Sequence, residues 1–391
     1  MRFIVLLKHK IIQLDNIIPL LMELKKCSLL YGPLFVAPDV YTYEVIKKNV
    51  VLFDAIKSMG GELRYVNRFK NRLIRLIHNL FILKDYLYKK VVTFQTFDNL
   101  SHVQSFLLFF NKRTLKGKRF YVSFSNLPYK SACIANRKNS TIQCNLDVRT
   151  MKFEGFDALL FSFTKEQVEK ANRILIASND RFLRIGYTRG MAEWQKFLAN
   201  SRYSPLSTEE KTPYIFFVLS LLEHAVIGED NPPRKVLLEE CLLVLKEFCK
   251  DIHTVFKPSA VTEMDTFTRL INEVGYKNYT ISYDHPICLA KNAKLTMAYT
   301  PTGVLYDAYF IGCPTVEYAH YDSRVIEMTG GKSLTGDIVD YFVCRDMNKL
   351  RAVLKKLIYN YVKVERNGAK LREYFPVLTN QEIKDIFNHI L

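Results

Sequence analysis

The chain has one tryptophan, no Cys-x-x-Cys pair, and no apolar run near the ~18–20 residues that cross a bilayer. The last absence argues against an integral membrane protein. Eight cysteines are present (Cys27, Cys133, Cys144, Cys241, Cys249, Cys288, Cys313 and Cys344), several inside apolar patterns. Without paired spacing they argue against a zinc site and read as reduced thiols of a cytosolic protein. Met1 to Lys8 is too briefly apolar for a signal peptide, and no small-residue cleavage site follows; a first buried strand is expected. Tandem repeats and low-complexity tracts are also missing, which excludes solenoids and arrays. At 49% apolar and 24% charged residues, general disorder, collagen and coiled coil are excluded as well.

Acidic residues are scarce in one place. Residues 1–150 hold 25 basic and 9 acidic side chains, while the remainder holds 31 and 30. Nearly all of the net charge of +17 therefore lies in the first part, which points to an anionic surface, lipid or nucleic acid, beside it. Its most basic stretch, Arg64 to Lys90, has eight basic residues against Asp85 alone. Phe69, Leu73, Leu76, Leu80, Leu83 and Leu87 recur there at three- and four-residue spacing, so a helix over Asn67–Lys90 is expected. Arg68, Arg72, Arg75, Lys84, Lys89 and Lys90 flank that stripe and form a candidate patch for an anionic membrane. The competing reading is a core-facing helix with a solvated basic face.

The 391 residues suggest two or three domains, since single cores seldom exceed roughly 250–300 residues. Short β-branched strands alternate with helical spacing along the chain. Strands are expected at Phe3–Leu7, Leu34–Ala37, Leu63–Val66, Val91–Phe94, Phe120–Phe124, Ala158–Phe161 and Phe182–Gly186, with helices over Asn16–Lys25 and Thr42–Ser58. The polar stretch Asn200–Pro213 reads as a linker. A second series follows, with strands at Ile215–Leu221, Thr254–Phe256, Tyr279–Ser282, Leu295–Tyr299 and Thr315–Tyr318. Helices are expected there at Leu237–Lys250, Asp265–Val274, Pro286–Asn292, Val304–Ile311 and Met347–Val364. The pattern predicts an α/β protein of two Rossmann-like domains facing a central cleft. The expected divisions are a basic first domain at 1–205, a second domain at 206–375, and a C-terminal helix at 376–391 returning to the first.

The most informative passage runs from Leu295 to Tyr318. A strand enters Thr300-Pro301-Thr302-Gly303 and a helix follows. Thr300 suits an N-cap and Pro301 the first helical position. The amides of Thr302, Gly303 and Val304, with two hydroxyls, would make an anion site at the positive end of that helix. Lys257 closes one neighbouring strand and His285 follows another, so both are candidates for the same site. Glu317, one strand further, is a candidate ligand contact in the same site. Thr329-Gly330-Gly331-Lys332-Ser333 lacks Walker spacing and is expected to be a mobile loop. Asp307 is expected to bond within its helix, and Trp194 to pack rather than stack on substrate.

The passage from His285 to Tyr318 resembles the C-terminal domain of GT-B-fold bacterial glycosyltransferases that build surface and capsular polysaccharides. The resemblance covers about Lys211–Leu357. It implies a nucleotide-sugar on the second domain, its phosphates at Thr300–Gly303, and an acceptor on the first. Lys257-Pro258 resembles the Lys-x-His-Pro strand end of capsule sialyl- and Kdo-transferases and of polymer glycerophosphotransferases, although Ser259-Ala260 follows here. The expected function is sugar transfer to a lipid-linked or polysaccharide acceptor at the inner face of the cytoplasmic membrane. The nucleotide-sugar would be a substrate, so no cofactor is expected. No Asp-x-Asp pattern lies near the candidate cleft, so no metal is expected either. An inverting enzyme needs a base for the acceptor hydroxyl; Asp39, Asp98 and His102 are candidates, with capping or turn roles as the alternative. A nucleotide-sugar 2-epimerase or CDP-polyol phosphotransferase of the same fold remains open. So does a non-enzymatic nucleic-acid binder, though no such module is recognised and no nucleic-acid partner is expected.

Overall fold

The computed structural model describes residues 2–7, 12–65, 91–95, 118–122, 133–135, 142–144, 156–162, 182–199, 213–223, 233–259, 262–334, 338–360, 366, 368, 371–372 and 375–391. The first unit carries strands β1 (Arg2–Leu6), β2 (Tyr31–Ala37), β3 (Glu62–Tyr65), β4 (Val91–Gln95), β5 (Lys118–Val122), β6 (Cys133–Ala135), β7 (Ile142–Cys144), β8 (Ala158–Phe161) and β9 (Phe182–Arg184). Seven form one sheet in the order β3-β2-β1-β4-β5-β8-β9, and every neighbouring pair runs parallel. β6 and β7 make a separate antiparallel pair. Phe3, Ile4, Val5 and Leu6 are wholly buried, as expected of a continuous apolar strand in a sheet covered on both faces. The helices are α1 (Ile12–Lys26), α2 (Val40–Lys48), α3 (Val50–Ser58) and α4 (Ala192–Leu198).

The second unit carries β10 (Tyr214–Val218), β11 (His253–Lys257), β12 (Tyr279–Ile281), β13 (Ala293–Ala298), β14 (Thr315–Ala319) and β15 (Tyr341–Cys344). They pair in parallel in the order β12-β11-β10-β13-β14-β15. Its helices are α5 (Arg234–Lys246), α6 (Met264–Val274), α7 (Pro286–Asn292), α8 (Gly303–Phe310), α9 (Ser323–Thr329) and α10 (Met347–Tyr359). A last helix, α11 (Asn380–Ile390), begins with a capping box between Thr379 and Glu382. Its Ile383 and Phe387 lie in the core of the first unit, Phe387 against Phe94 and Phe120.

Several expected elements change. The helix expected over Thr42–Ser58 is two, because Asn49 leaves the helical conformation and its side chain accepts from Leu52 N at 3.1 Å. The final helical region stops at Tyr359 rather than Val364. β15 and α9 were not anticipated. Thr329 ends α9, and the Gly330–Ser333 turn is tied down where Ser333 donates to Glu317. The helix expected over Asn67–Lys90, and all but Pro213 of the expected linker, lie outside the described residues.

Side chains of α7 help to join the units. Ile287 and Cys288 of α7 enter the first core beside Trp194 and Leu198. Gly186 follows β9 with φ +71°, and a β-carbon there would lie 2.0 Å from Pro376 O. Glycine is therefore required where the chain leading to α11 crosses the end of β9.

Candidate active site

In the second sheet, register places Lys257, Val218, Ala298 and Glu317 in one row across β11, β10, β13 and β14. At ~4.8 Å per strand, Lys257 lies about 10 Å from the end of β13. The chain reverses direction of strand addition between β10 and β13, and open α/β sheets bind ligands at such a point. The bend Thr300–Gly303 leaves β13 there.

The cap of α8 is Thr302, not Thr300. Thr302 is extended and its Oγ1 accepts from Val304 N at 3.4 Å. Of the three amides expected to face an anion, Val304's is thus occupied. Those of Thr302 and Gly303 have no partner among the described residues. Pro301, Thr302, Gly303 and Val304 are all partly exposed, whereas Thr300 is buried. The bend is open.

Asp15 is a carboxylate the sequence reading passed over. It lies in the first turn of α1, the helix that follows β1. His285 caps α7, and its Nδ1 accepts from Ile287 N at 3.3 Å. In the neutral ring that bond places the proton on Nε2. Nε2 stands 3.5 Å from Asp15 Oδ1, and neither atom has a hydrogen-bond partner among the described residues. The Trp194 and His285 rings pack in a T-shape with centroids 5.4 Å apart. Burial pushes the Asp15 carboxyl up, but His285, Arg189 and Lys257 outweigh it and hold the group below its ordinary value. Asp15 is therefore ionised at neutral pH. Burial lowers the Lys257 ammonium, against the attraction of Asp15 and Asp284. Its Nζ donates to Tyr283 O at 3.3 Å.

Arg189 reaches the site from the turn Thr188–Gly190 after β9. It pairs with Asp307 inside α8, and Tyr187 donates its hydroxyl to the other oxygen of the same carboxylate. Asp307 thus bonds across the units, not within its own helix. The cluster of Asp15, Lys257, His285, Arg189 and Asp307 draws on both units. Of these, only Lys257 and His285 were singled out in the sequence as site residues. Asp15 carried one signal, its place immediately before the helix expected over Asn16–Lys25.

The other candidates fall elsewhere. Asp39 caps α2, its carboxylate accepting from Thr42 N at 2.8 Å. Glu317 is wholly buried rather than exposed at a strand end, and accepts from Tyr321 at 2.7 Å and from Ser333. It fixes the chain that follows β14. Trp194 is wholly buried. Asp98, His102, Arg68, Arg72, Arg75, Lys84, Lys89 and Lys90 lie outside the described residues. Among the described residues no cluster of His, Cys, Asp or Glu is arranged to hold a metal, and no helix is long and apolar enough to cross a membrane.

No family model and no curated protein matches the chain. Solved structures do. The glycotransferase of kitacinnamycin shares 13% identity over 100% of this chain and 98% of its own, with a TM-score of 0.54. UDP-N-acetylglucosamine 2-epimerase from Rickettsia bellii shares 12% over 100% and 95%, with a TM-score of 0.55. A putative UDP-N-acetylglucosamine 2-epimerase from Listeria monocytogenes shares 8% over 92% and 88%, with a TM-score of 0.52. The fold is the paired Rossmann-like arrangement of GT-B proteins.

Proposed function

We propose that the chain is a glycosyltransferase that moves a sugar from a nucleotide-sugar to a hydroxyl of a lipid-linked or polysaccharide acceptor. One observation carries this reading. An ionised carboxylate of the first unit, Asp15, stands in a charged cluster that also reaches the second unit's open helix N-terminus. Donor phosphates would lie on the amides of Thr302 and Gly303, with the α8 dipole and Lys257 supplying positive charge. Asp15 would take the acceptor's proton as its oxygen attacks the anomeric carbon. The bond from that carbon to the phosphate oxygen breaks, and the electron pair leaves with the phosphate. Attack from the face opposite the phosphate inverts the anomeric centre. His285 keeps Asp15 ionised and oriented, because its Nε2–H can point only toward the site while Nδ1 caps α7.

The test is a thermal-shift screen with UDP, CDP and CMP. At least one should raise the melting temperature, and Gly303→Asp should abolish the rise. An equal rise in the variant would remove the bend from the site.

A second reading has support in the fold shared with the two 2-epimerases. An epimerase would convert the sugar of a nucleotide-sugar with no acceptor present. Incubation of UDP-N-acetylglucosamine alone, followed by product analysis, separates the two: an isomerised sugar favours the epimerase, and an unchanged donor favours the transferase.

A further inference from the structure

We infer that Arg189, carried by the first unit, is a direct ligand of the donor phosphate bound at the second unit's α8. The inference rests on the phosphate reading of the Thr302–Gly303 bend and adds a residue that reading did not contain. Arg189 is buried, with its side chain 4% exposed. Burial disfavours its charge, but Asp307, Tyr187 and Asp15 together outweigh burial and the guanidinium stays protonated. A guanidinium and a carboxylate commonly pair through two parallel bonds. Here Tyr187 takes one carboxylate oxygen, so Asp307 offers Arg189 only the other, through Nη1. Nε is left buried without a partner among the described residues. Nη2 points instead at Gly303, lying 3.7 Å from where a β-carbon of that residue would be.

The guanidinium, with its unpartnered Nε, therefore lies beside the start of α8, at the one residue there that has no side chain. A purely structural ion pair would have no need to leave donors facing a helix N-terminus, which is already positive. An anion there satisfies the guanidinium and the amides together. Because Arg189 comes from the first unit and the amides from the second, a bound phosphate would also tie the two units to each other.

The experiment compares wild type, Gly303→Asp and the double variant Arg189→Gln/Asp307→Asn, titrated with whichever of UDP, CDP and CMP stabilises the wild type. The double variant replaces a buried ion pair by two neutral amides, so it should fold without nucleotide much as the wild type does. Its nucleotide affinity should fall at least about tenfold, as loss of a charged hydrogen bond implies. Wild-type affinity in the double variant, with affinity lost in Gly303→Asp, overturns the role of Arg189 and leaves the bend intact. Wild-type affinity in Gly303→Asp, or no response to any of the three nucleotides in the wild type, overturns the phosphate reading and this inference with it. If the double variant does not fold, Arg189→Lys decides between the same outcomes. It keeps a charge facing Asp307 but has no second nitrogen to turn toward Gly303.

Discussion

Asp15 shows how a position can matter more than a motif. No pattern marks it, yet it lies in the first turn of α1, the helix that follows β1. Its depressed pKa sets a sharp expectation for activity. A base held below the ordinary aspartate value of 3.8 stays ionised throughout the neutral and mildly acid range. The acid limb of kcat/KM should therefore lie below 3.8, and an acid limb near ~6.5, the histidine range, would contradict the assignment. Asp15→Asn should lower kcat by roughly 10²–10⁴-fold while the nucleotide-induced melting shift persists, because a lost base costs about that much and the donor site is untouched. What local pattern made readable was helix starts after strands, where Thr302 caps α8 and His285 caps α7. Arg189 and Tyr187 were not readable in that way, since their meaning depends on Asp307, 118 and 120 positions away. Glu317 misled for the opposite reason: a strand-end carboxylate usually faces water, but Tyr321 and Ser333 fold back over this one.

Among elements, the long apolar strands were legible because a parallel sheet buried on both faces leaves an unbroken hydrophobic run, as in Phe3–Leu6 or Tyr214–Val218. The edge strand β15 is shorter and only partly buried, so its signal was weaker. The division between α2 and α3 depends on Asn49 being at once the end of one helix and the cap of the next. The role of α11 is a matter of packing. Phe387 is fully buried between Phe94 and Phe120, far from it in sequence. Phe387→Ala should cost about 3–5 kcal/mol in urea unfolding, the usual loss for a large core aromatic. A loss near zero would mean that α11 does not hold the first unit.

At the scale of the molecule, two parallel sheets present their strand ends to each other, and the ionisable groups between them come from both. The duplicated βα alternation made that architecture readable from the sequence. The pairing of particular side chains across the cleft was not readable, because nothing in a strand's sequence says which loop will face it. The basic stretch from Arg64 to Lys90 remains a feature of the sequence, since all of it beyond Tyr65 lies outside the described residues. The central claim concerns the open start of α8. A crystal structure of the protein bound to whichever of UDP, CDP and CMP stabilises it tests that claim most directly. A phosphate oxygen within hydrogen-bonding distance of the Gly303 amide is the predicted result; a nucleotide seated away from the Thr302–Gly303 bend would contradict it.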